Sequence, residues 1–522
     1  MENEEINQDP YGIEELKKRT QIALQMGGEE KIKKQHSLKR LTARERIQKL
    51  LDKNSFYEIG LLAHSPLKEV KDKTPADGKI CGYGTIDTQM VAISADDATV
   101  LAGAGGLVGY EKEYHIHEMA RKKGFPSIHL GDGGGARIPD IMGAVGMMSY
   151  SLSHITHHQP RARETPLITA ILGECYGGPT WKASVSDIVI QVKGTIMAVA
   201  SPAILEIATT EQSEKDALGG WELHAYKTGL VDLFAKNDQE ALSLIKKIFQ
   251  YLPPNAESTP PNASFFEAPS PFKANKILDI IPTDSKYSYD MHELLQCIFD
   301  VGSILELKPY YDGSLITAFA RLEGQVVGVL ANNPKVNAGA MGAGACEKAL
   351  HFLITCDSYH IPLIFLHDTP GFYVGKQAEE NKMPVRIMNF INALHYSTVP
   401  KIALIIRKSY GMAHNNMLGA KMGADFMLAF PKAEISFMAP EVACNVVLGR
   451  KLQSSDNPAL MKALFLQEMA KMNAPWEAAG NNSIDRIIDP RQTRMELVKA
   501  LQISFNQKGK MSQRKLATWN KL

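Results

Sequence analysis

Ile171-Leu-Gly-Glu-Cys-Tyr-Gly-Gly-Pro-Thr-Trp181 and Ile405-Ile-Arg-Lys-Ser-Tyr-Gly-Met-Ala-His-Asn415 decide how this chain is read. Each follows a short apolar run of β type, residues 166–172 and 401–406, and bends at glycine. Each then enters a helix-like segment, residues 180–187 and 415–421. A strand that feeds a small-residue turn and then a helix aims backbone N–H groups at one spot, because the first N–H groups of a helix have no internal partner. Such a spot can hold a developing oxyanion, and two of them suit two carbonyl oxygens.

Working outward, the surroundings of the first stretch recur around the second. Asp132-Gly-Gly-Gly matches His367-Asp-Thr-Pro-Gly-Phe372 at an offset of 236, Gly177 matches Gly411 at 234, and Pro202 matches Pro440 at 238. The strand pair from Gly82 returns at Phe319, and the small-residue turn and helix at Gly103 return at Gly339. This duplication predicts two similar α/β domains, each with one oxyanion-type turn. Between them, four prolines in residues 253–264 mark an extended linker. The expected domains are residues 1–260 and 270–522.

The 522 residues carry a net charge of +1, with 44% apolar and 22% charged side chains. That balance gives no field to attract nucleic acid or an acidic membrane surface. Six scattered cysteines without a C-x-x-C pair read as reduced thiols. The acidic start is neither a secretory signal nor a transit peptide, and no run of about 18 apolar residues occurs, so a cytoplasmic location is expected.

Thr42-Ala-Arg-Glu45 fits a capping box opening a helix to Leu51; a docking helix and a ligand role for Arg44 or Arg46 stand side by side. His154, His157 and His158 have helical spacing, but no acidic or cysteine partner is near, so they read as a polar helix face and no metal is expected. Asp132 and Asp368, at strand ends, read as turn and capping residues. P-loop, dinucleotide-fold and G-x-S-x-G signatures are absent. What remains is a pair of backbone-donor turns, suited to an enolate or similar oxyanion.

Eight motifs, in order, carry a resemblance: Leu41-Thr-Ala-Arg-Glu-Arg-Ile47, Gly82-Tyr-Gly-Thr-Ile86, Asp132-Gly-Gly-Gly-Ala-Arg137, Gly173-Glu-Cys-Tyr-Gly-Gly178, Ala331-Asn-Asn-Pro334, His367-Asp-Thr-Pro-Gly-Phe372, Arg407-Lys-Ser-Tyr-Gly411 and Ile488-Asp-Pro-Arg-Gln-Thr-Arg494. Over nearly its whole length the chain resembles the carboxyltransferase (β) subunit of biotin-dependent acyl-CoA carboxylases of the propionyl-CoA and methylcrotonyl-CoA type. The resemblance implies two tandem crotonase-like (ClpP/crotonase) domains, the first on the acyl-CoA side and the second on the biotin side. It implies a homo-hexamer, a trimer of dimers, whose active site lies between the first domain of one subunit and the second of another. It also implies CO2 transfer from carboxybiotin to a short or medium acyl-CoA through a thioester enolate, without a side-chain base. Biotin and ATP would come with a partner biotin carboxylase and carrier polypeptide; Ala420-Lys-Met422 and Ala470-Lys-Met472 read as helix surface, not as biotinyl sites.

Carried across by position, Gly177 and Gly178 form the first oxyanion hole, and Met412 and Ala413 the second. Gly134, Gly135, Ala136, Arg137, Tyr176 and Asn415 fall at substrate-binding positions. Tyr410, Gly411, Pro370, Gly371 and Phe372 fall on the biotin side. Met412 stands where the family has glycine, Pro179 lacks an N–H, and Ala439 and Val442 replace glycines. The alternatives are the carboxyltransferase subunit of a biotin-dependent decarboxylase, a non-catalytic assembly homologue, or a crotonase-type hydratase using Glu174.

Overall fold

A computed structural model describes residues 9, 11–149, 162–505 and 511–521. The chain divides into two compact units, Met1–Glu257 and Ser258–Leu522. The histidines at 154, 157 and 158 lie outside the described residues.

In the first unit the sheet runs Tyr57–Ile59, Lys79–Ile86, Gln89–Asp96, Ser127–Gly131, Leu167–Ile171, Ile188–Val192 and Leu233–Ala235. The first two neighbouring pairs are antiparallel and the rest parallel. Helices cross over between the parallel strands, which are buried on both faces and so read as apolar runs without alternation. The second unit repeats this order in Leu305–Leu307, Leu315–Leu322, Gln325–Asn332, Leu363–Thr369, Lys401–Tyr410, Phe426–Ala429 and Arg486–Ile487.

The repeat reaches the backbone torsions. Ala102 and Ala338 take φ of 56° and 55°, and Gly103 and Gly339 take 68° and 82°. Each pair lies in a short 3-10 turn, Leu101–Gly103 or Asn337–Gly339, that follows a strand and precedes a long helix, Leu107–Lys123 or Ala343–Ser358. A short second layer repeats as well. Glu174–Tyr176 pairs with Ile196–Ala198, and Lys408–Tyr410 pairs with Glu434–Ser436, in the same parallel register. The difference is continuity: Gly173 breaks the first strand, whereas the second passes through a bulge and runs on to Tyr410. A Cβ at Gly173 would stand 1.5 Å from Asp132 Oδ1, so only glycine allows that approach.

The capping box is present. Thr42 Oγ1 accepts from Glu45 N at 3.3 Å, and Glu45 Oε2 accepts from Thr42 N at 2.7 Å, opening the helix Ala43–Leu50. Both arginines of that helix turn to carboxylates of the chain instead of to a ligand. Arg44 is bidentate to Glu58 at 2.7 and 3.0 Å. Arg46, 1% exposed, reaches Asp132 and Asp238, each at 2.8 Å, and donates to the Leu172 carbonyl at 3.0 Å. All six cysteines are free and buried, two in the first unit and four in the second. No helix among the described residues is long and apolar enough to cross a membrane.

Candidate active site

The chain leaves the first sheet at Ile171, pairs briefly through Glu174–Tyr176, and turns at Gly177 with φ 61° and ψ −113°. Side chains disfavour those angles, so glycine is required there. The helix Gly178–Val185 starts at once, two residues earlier than position 180, because Pro179 fits a first helical turn where its missing N–H costs nothing. Gly178 is the first helical residue, and its N–H has no partner within the helix. The Gly177 N–H, by contrast, donates to the Ala198 carbonyl at 3.3 Å. This corrects the expectation of two donors: Gly177 shapes the turn, and Gly178 carries the unshared N–H.

The glycine-rich turn after Gly131 lies against this one. Tyr176 N donates to the Gly133 carbonyl at 3.2 Å, and a Cβ on Gly135, with φ 94°, would stand 3.2 Å from the Tyr176 carbonyl. Gly134 is exposed, with its N–H given to Ala102; Gly135 and Arg137 bond to Gly105 through O and N, both at 2.8 Å, with Ala136 between them. The Gly133–Ala136 turn and the Tyr176 backbone therefore form one patch, with Gly177 and Gly178 next along the chain. The side chain of Arg137 does not join it. Its buried guanidinium is held by Asp140, at 2.7 and 2.8 Å, and by Asp77, so its charge is compensated inside the protein. Tyr176 is also buried, and its hydroxyl donates to Glu174 at 3.1 Å. Burial, then the neighbouring Glu174, pushes that phenol well up. Glu174 itself pairs with Lys215 at 2.6 Å.

In the second unit, Thr369 stands opposite Ser409, so Pro370, Gly371 and Phe372 leave their strand beside the one that ends in Tyr410. Gly411 repeats the bend with φ 58° and opens the helix Gly411–Asn416. This helix replaces the one expected at 415–421, where Leu418 and Lys421 take positive φ and end it. Met412 and Ala413 occupy its first turn. Met412 is 42% exposed and Ala413 is buried in the chain, and as residues of the first turn neither has an N–H partner within the helix. Asn415 is half-buried, with Nδ2 at 3.6 Å from Met412 Sδ. Tyr410 is buried and donates to Glu434 at 2.6 Å. Asp132 and Asp368 prove to be ion-paired, not capping, residues: Asp132 meets Arg46 and Asp368 meets Arg407 Nε at 3.0 Å.

Sequence reasoning passed over a set of ions beneath the first turn. Lys79, Asp96, Glu113 and Lys182 are buried together with Ser94, His117 and His129. Burial opposes the charge on Glu113, but Lys182 and Lys79 outweigh it and hold the carboxyl well below its usual range. Asp96 is likewise held down to about 2, chiefly by Lys79 against the cost of burial. Burial, aided by Lys182, pulls the His117 imidazole down to about 4. Unfolded, that ring titrates near 6.5. Between those values the unfolded chain binds a proton that the folded chain refuses, so this contribution is complete above about pH 6.5 and is lost as pH falls toward 4, by about 3 kcal/mol. His117→Leu is expected to reduce the slope of stability across that window, read as urea midpoints at about pH 4.5 and about pH 7.5. An unchanged slope would refute the assignment.

The Carboxyl transferase domain family matches residues 34–518. The methylmalonyl-CoA carboxyltransferase 12S subunit of Propionibacterium freudenreichii subsp. shermanii is 35% identical over 499 residues, 94% of each chain. A propionyl-CoA carboxylase carboxyltransferase subunit of Haloferax mediterranei is 32% identical, covering 94% of this chain and 95% of that one. The methylmalonyl-CoA decarboxylase α subunit of Veillonella parvula is also 32% identical, over 91% and 92%. A solved structure of transcarboxylase 12S, a hexamer with methylmalonyl-coenzyme A and methylmalonic acid bound, superposes with a TM-score of 0.88 at 32% identity, covering 98% of this chain and 100% of that one. The duplicated α/β architecture is thus the crotonase-type fold of carboxyltransferases, and the chain belongs to the carboxyl transferase family of enzymes.

Proposed function

We propose that this chain is the carboxyltransferase component of a biotin-dependent system and moves a carboxyl group between biotin, carried on a partner polypeptide, and a short or medium acyl-CoA. The observation that carries the reading is the recurrence of one turn in both units: a positive-φ glycine, at 177 and 411, joins a strand to a short helix whose first N–H groups are unshared. In the first unit, the Gly178 N–H would stabilise the thioester oxygen as the α- or γ-carbon becomes nucleophilic. One good donor of this kind contributes about 3–4 kcal/mol to an acyl-transfer transition state.

In the second unit, Tyr410, Gly411, Pro370, Gly371 and Phe372 would hold biotin, with the Met412 N–H toward its ureido oxygen. The residues leave room for the planar ureido ring: Gly371 has φ 129° and open space where a Cβ would be. Biotin, when bound, supplies or accepts the carboxyl group; the chain's part is to orient both oxygens and exclude water. The likeness to a hexameric 12S protein supports a homo-hexamer working with a biotin carboxylase and carrier partner.

The similarity to a decarboxylase α subunit supports a second reading, in which the same transfer runs from acyl-CoA to biotin. The test is to assay the purified chain with biotin against a panel of acyl-CoA and carboxyacyl-CoA thioesters in both directions. Turnover of none, with CoA binding retained, would leave an assembly role and end the catalytic reading. Asn415 should bear on substrate choice. Asn415→Ala is expected to shift the ratio of kcat/KM between short and longer acyl groups by about tenfold, as one methylene can do in an apolar pocket. An identical profile removes Asn415 from it.

A further inference from the structure

The buried ions of the first unit form one connected set. Lys182 Nζ lies 2.5 Å from Glu113 Oε1, and Lys79 Nζ lies 3.3 Å from Glu113 Oε2 and 2.5 Å from Asp96 Oδ1. Ser94 Oγ donates to Glu113 at 2.7 Å, and His129 Nδ1 and His117 Nε2 stand 3.1 and 3.7 Å from the same carboxylate. Two cations face two anions, and none of the four is more than 5% exposed.

The fold does not require them. At the repeat offset of 236, the second unit has Leu315 for Lys79, Asn332 for Asp96, Ala349 for Glu113, Leu353 for His117 and Phe365 for His129, all buried. At the offset of 234 it has Asn416 for Lys182, whose amide donates to the Ile387 carbonyl. The same scaffold therefore closes there with uncharged side chains. Desolvation also makes buried ion pairs a poor source of net stability.

Their contacts point to placement instead. Lys182 stands one turn beyond Gly178, on the helix that presents the unshared N–H. At the other end, Asp96 Oδ2 accepts from Asp132 N at 3.3 Å, at the start of the turn that bonds to Tyr176. Midway, the Lys79 ammonium lies 5.4 Å from the centre of the Tyr110 ring, whose hydroxyl would meet a Cβ on Gly178 at 2.9 Å. We infer that Lys182, Glu113, Lys79 and Asp96 are positioning residues that fix the Gly178 N–H against the Asp132–Arg137 turn. The inference rests on reading Gly178 as the donor to the thioester oxygen.

The test compares Lys182→Met, Glu113→Gln and the double variant in the full chain, with biotin and whichever acyl-CoA the wild type turns over. The double variant removes one charge of each sign, so Lys79 and Asp96 still balance. It is expected to recover most of the denaturation midpoint lost by the single variants. Its kcat should nevertheless stay about tenfold to a hundredfold low with acyl-CoA KM within about twofold, as for a misplaced donor. Amide hydrogen exchange over Trp181–Val185 should be faster by about tenfold, with exchange over Ala343–Ser358 unchanged. A double variant with wild-type kcat and wild-type exchange in that helix overturns the inference, whatever the single variants do. If the wild type turns over no thioester, the functional reading fails, and the exchange comparison alone decides the placement role.

Discussion

Gly178→Val is expected to lower carboxyl transfer by at least about 10²–10³-fold while leaving circular dichroism and oligomeric state unchanged. The added Cβ falls 2.9 Å from the Tyr110 hydroxyl. Tyr110 cannot step aside, because it is buried and its ring also lies against Gly105, where a Cβ would meet the hydroxyl at 2.6 Å. The turn must move instead, and with it the N–H at the start of the helix. Only the local turn is disturbed, since the strands on either side are paired along their own ladders. Gly177→Ala should act in the same direction for a different reason. Space is open around that Cα, but φ 61° with ψ −113° is a conformation alanine disfavours. Rates unchanged in both variants would remove this turn from the chemistry.

Arg46→Met is expected to destabilise the first unit by about 3–5 kcal/mol, seen as an earlier transition in urea. The guanidinium is fully buried, lies between Asp132 and Asp238 at 2.8 Å each, and holds the Leu172 carbonyl. Removing it strands two carboxylates. Each keeps a neutral donor, Gln35 Nε2 for Asp132 at 2.9 Å and Leu41 N for Asp238 at 3.0 Å, but no compensating charge. Arg46→Lys should rescue little, because one ammonium cannot span three acceptors held by a planar fork. The loss should outweigh that of the exposed pair Lys17–Glu14, whose removal is worth under about 1 kcal/mol. A midpoint like that of wild type would show that the two carboxylates find other partners.

The repeat offset was readable because duplication preserves local pattern: glycine where φ is positive, apolar runs where strands are buried twice. It placed Gly177 and Gly411, and the structure gives them φ of 61° and 58°. The capping box at Thr42 was readable for the same reason, since its two partners are three residues apart. Pairings across long stretches of chain were not. Arg137 falls at a substrate-binding position by resemblance, until Asp77, sixty residues earlier, is folded against it. Arg46 meets Asp238 across 192 residues. The ions beneath Gly178 had a signal that was not used: laying the two halves side by side sets Glu113 over Ala349 and His129 over Phe365. A charge where its duplicate is apolar marks either a surface or a purpose.

The burial of every thiol gives the molecule a built-in clock. Alkylating reagents need an accessible thiolate, and desolvation holds Cys81 up at about 12. Labelling of Cys81 or Cys175 would therefore time opening of the first half, and labelling of Cys297, Cys346, Cys356 or Cys444 opening of the second. Mass spectrometry of a single trapped sample would then show which half yields first, without any inserted probe.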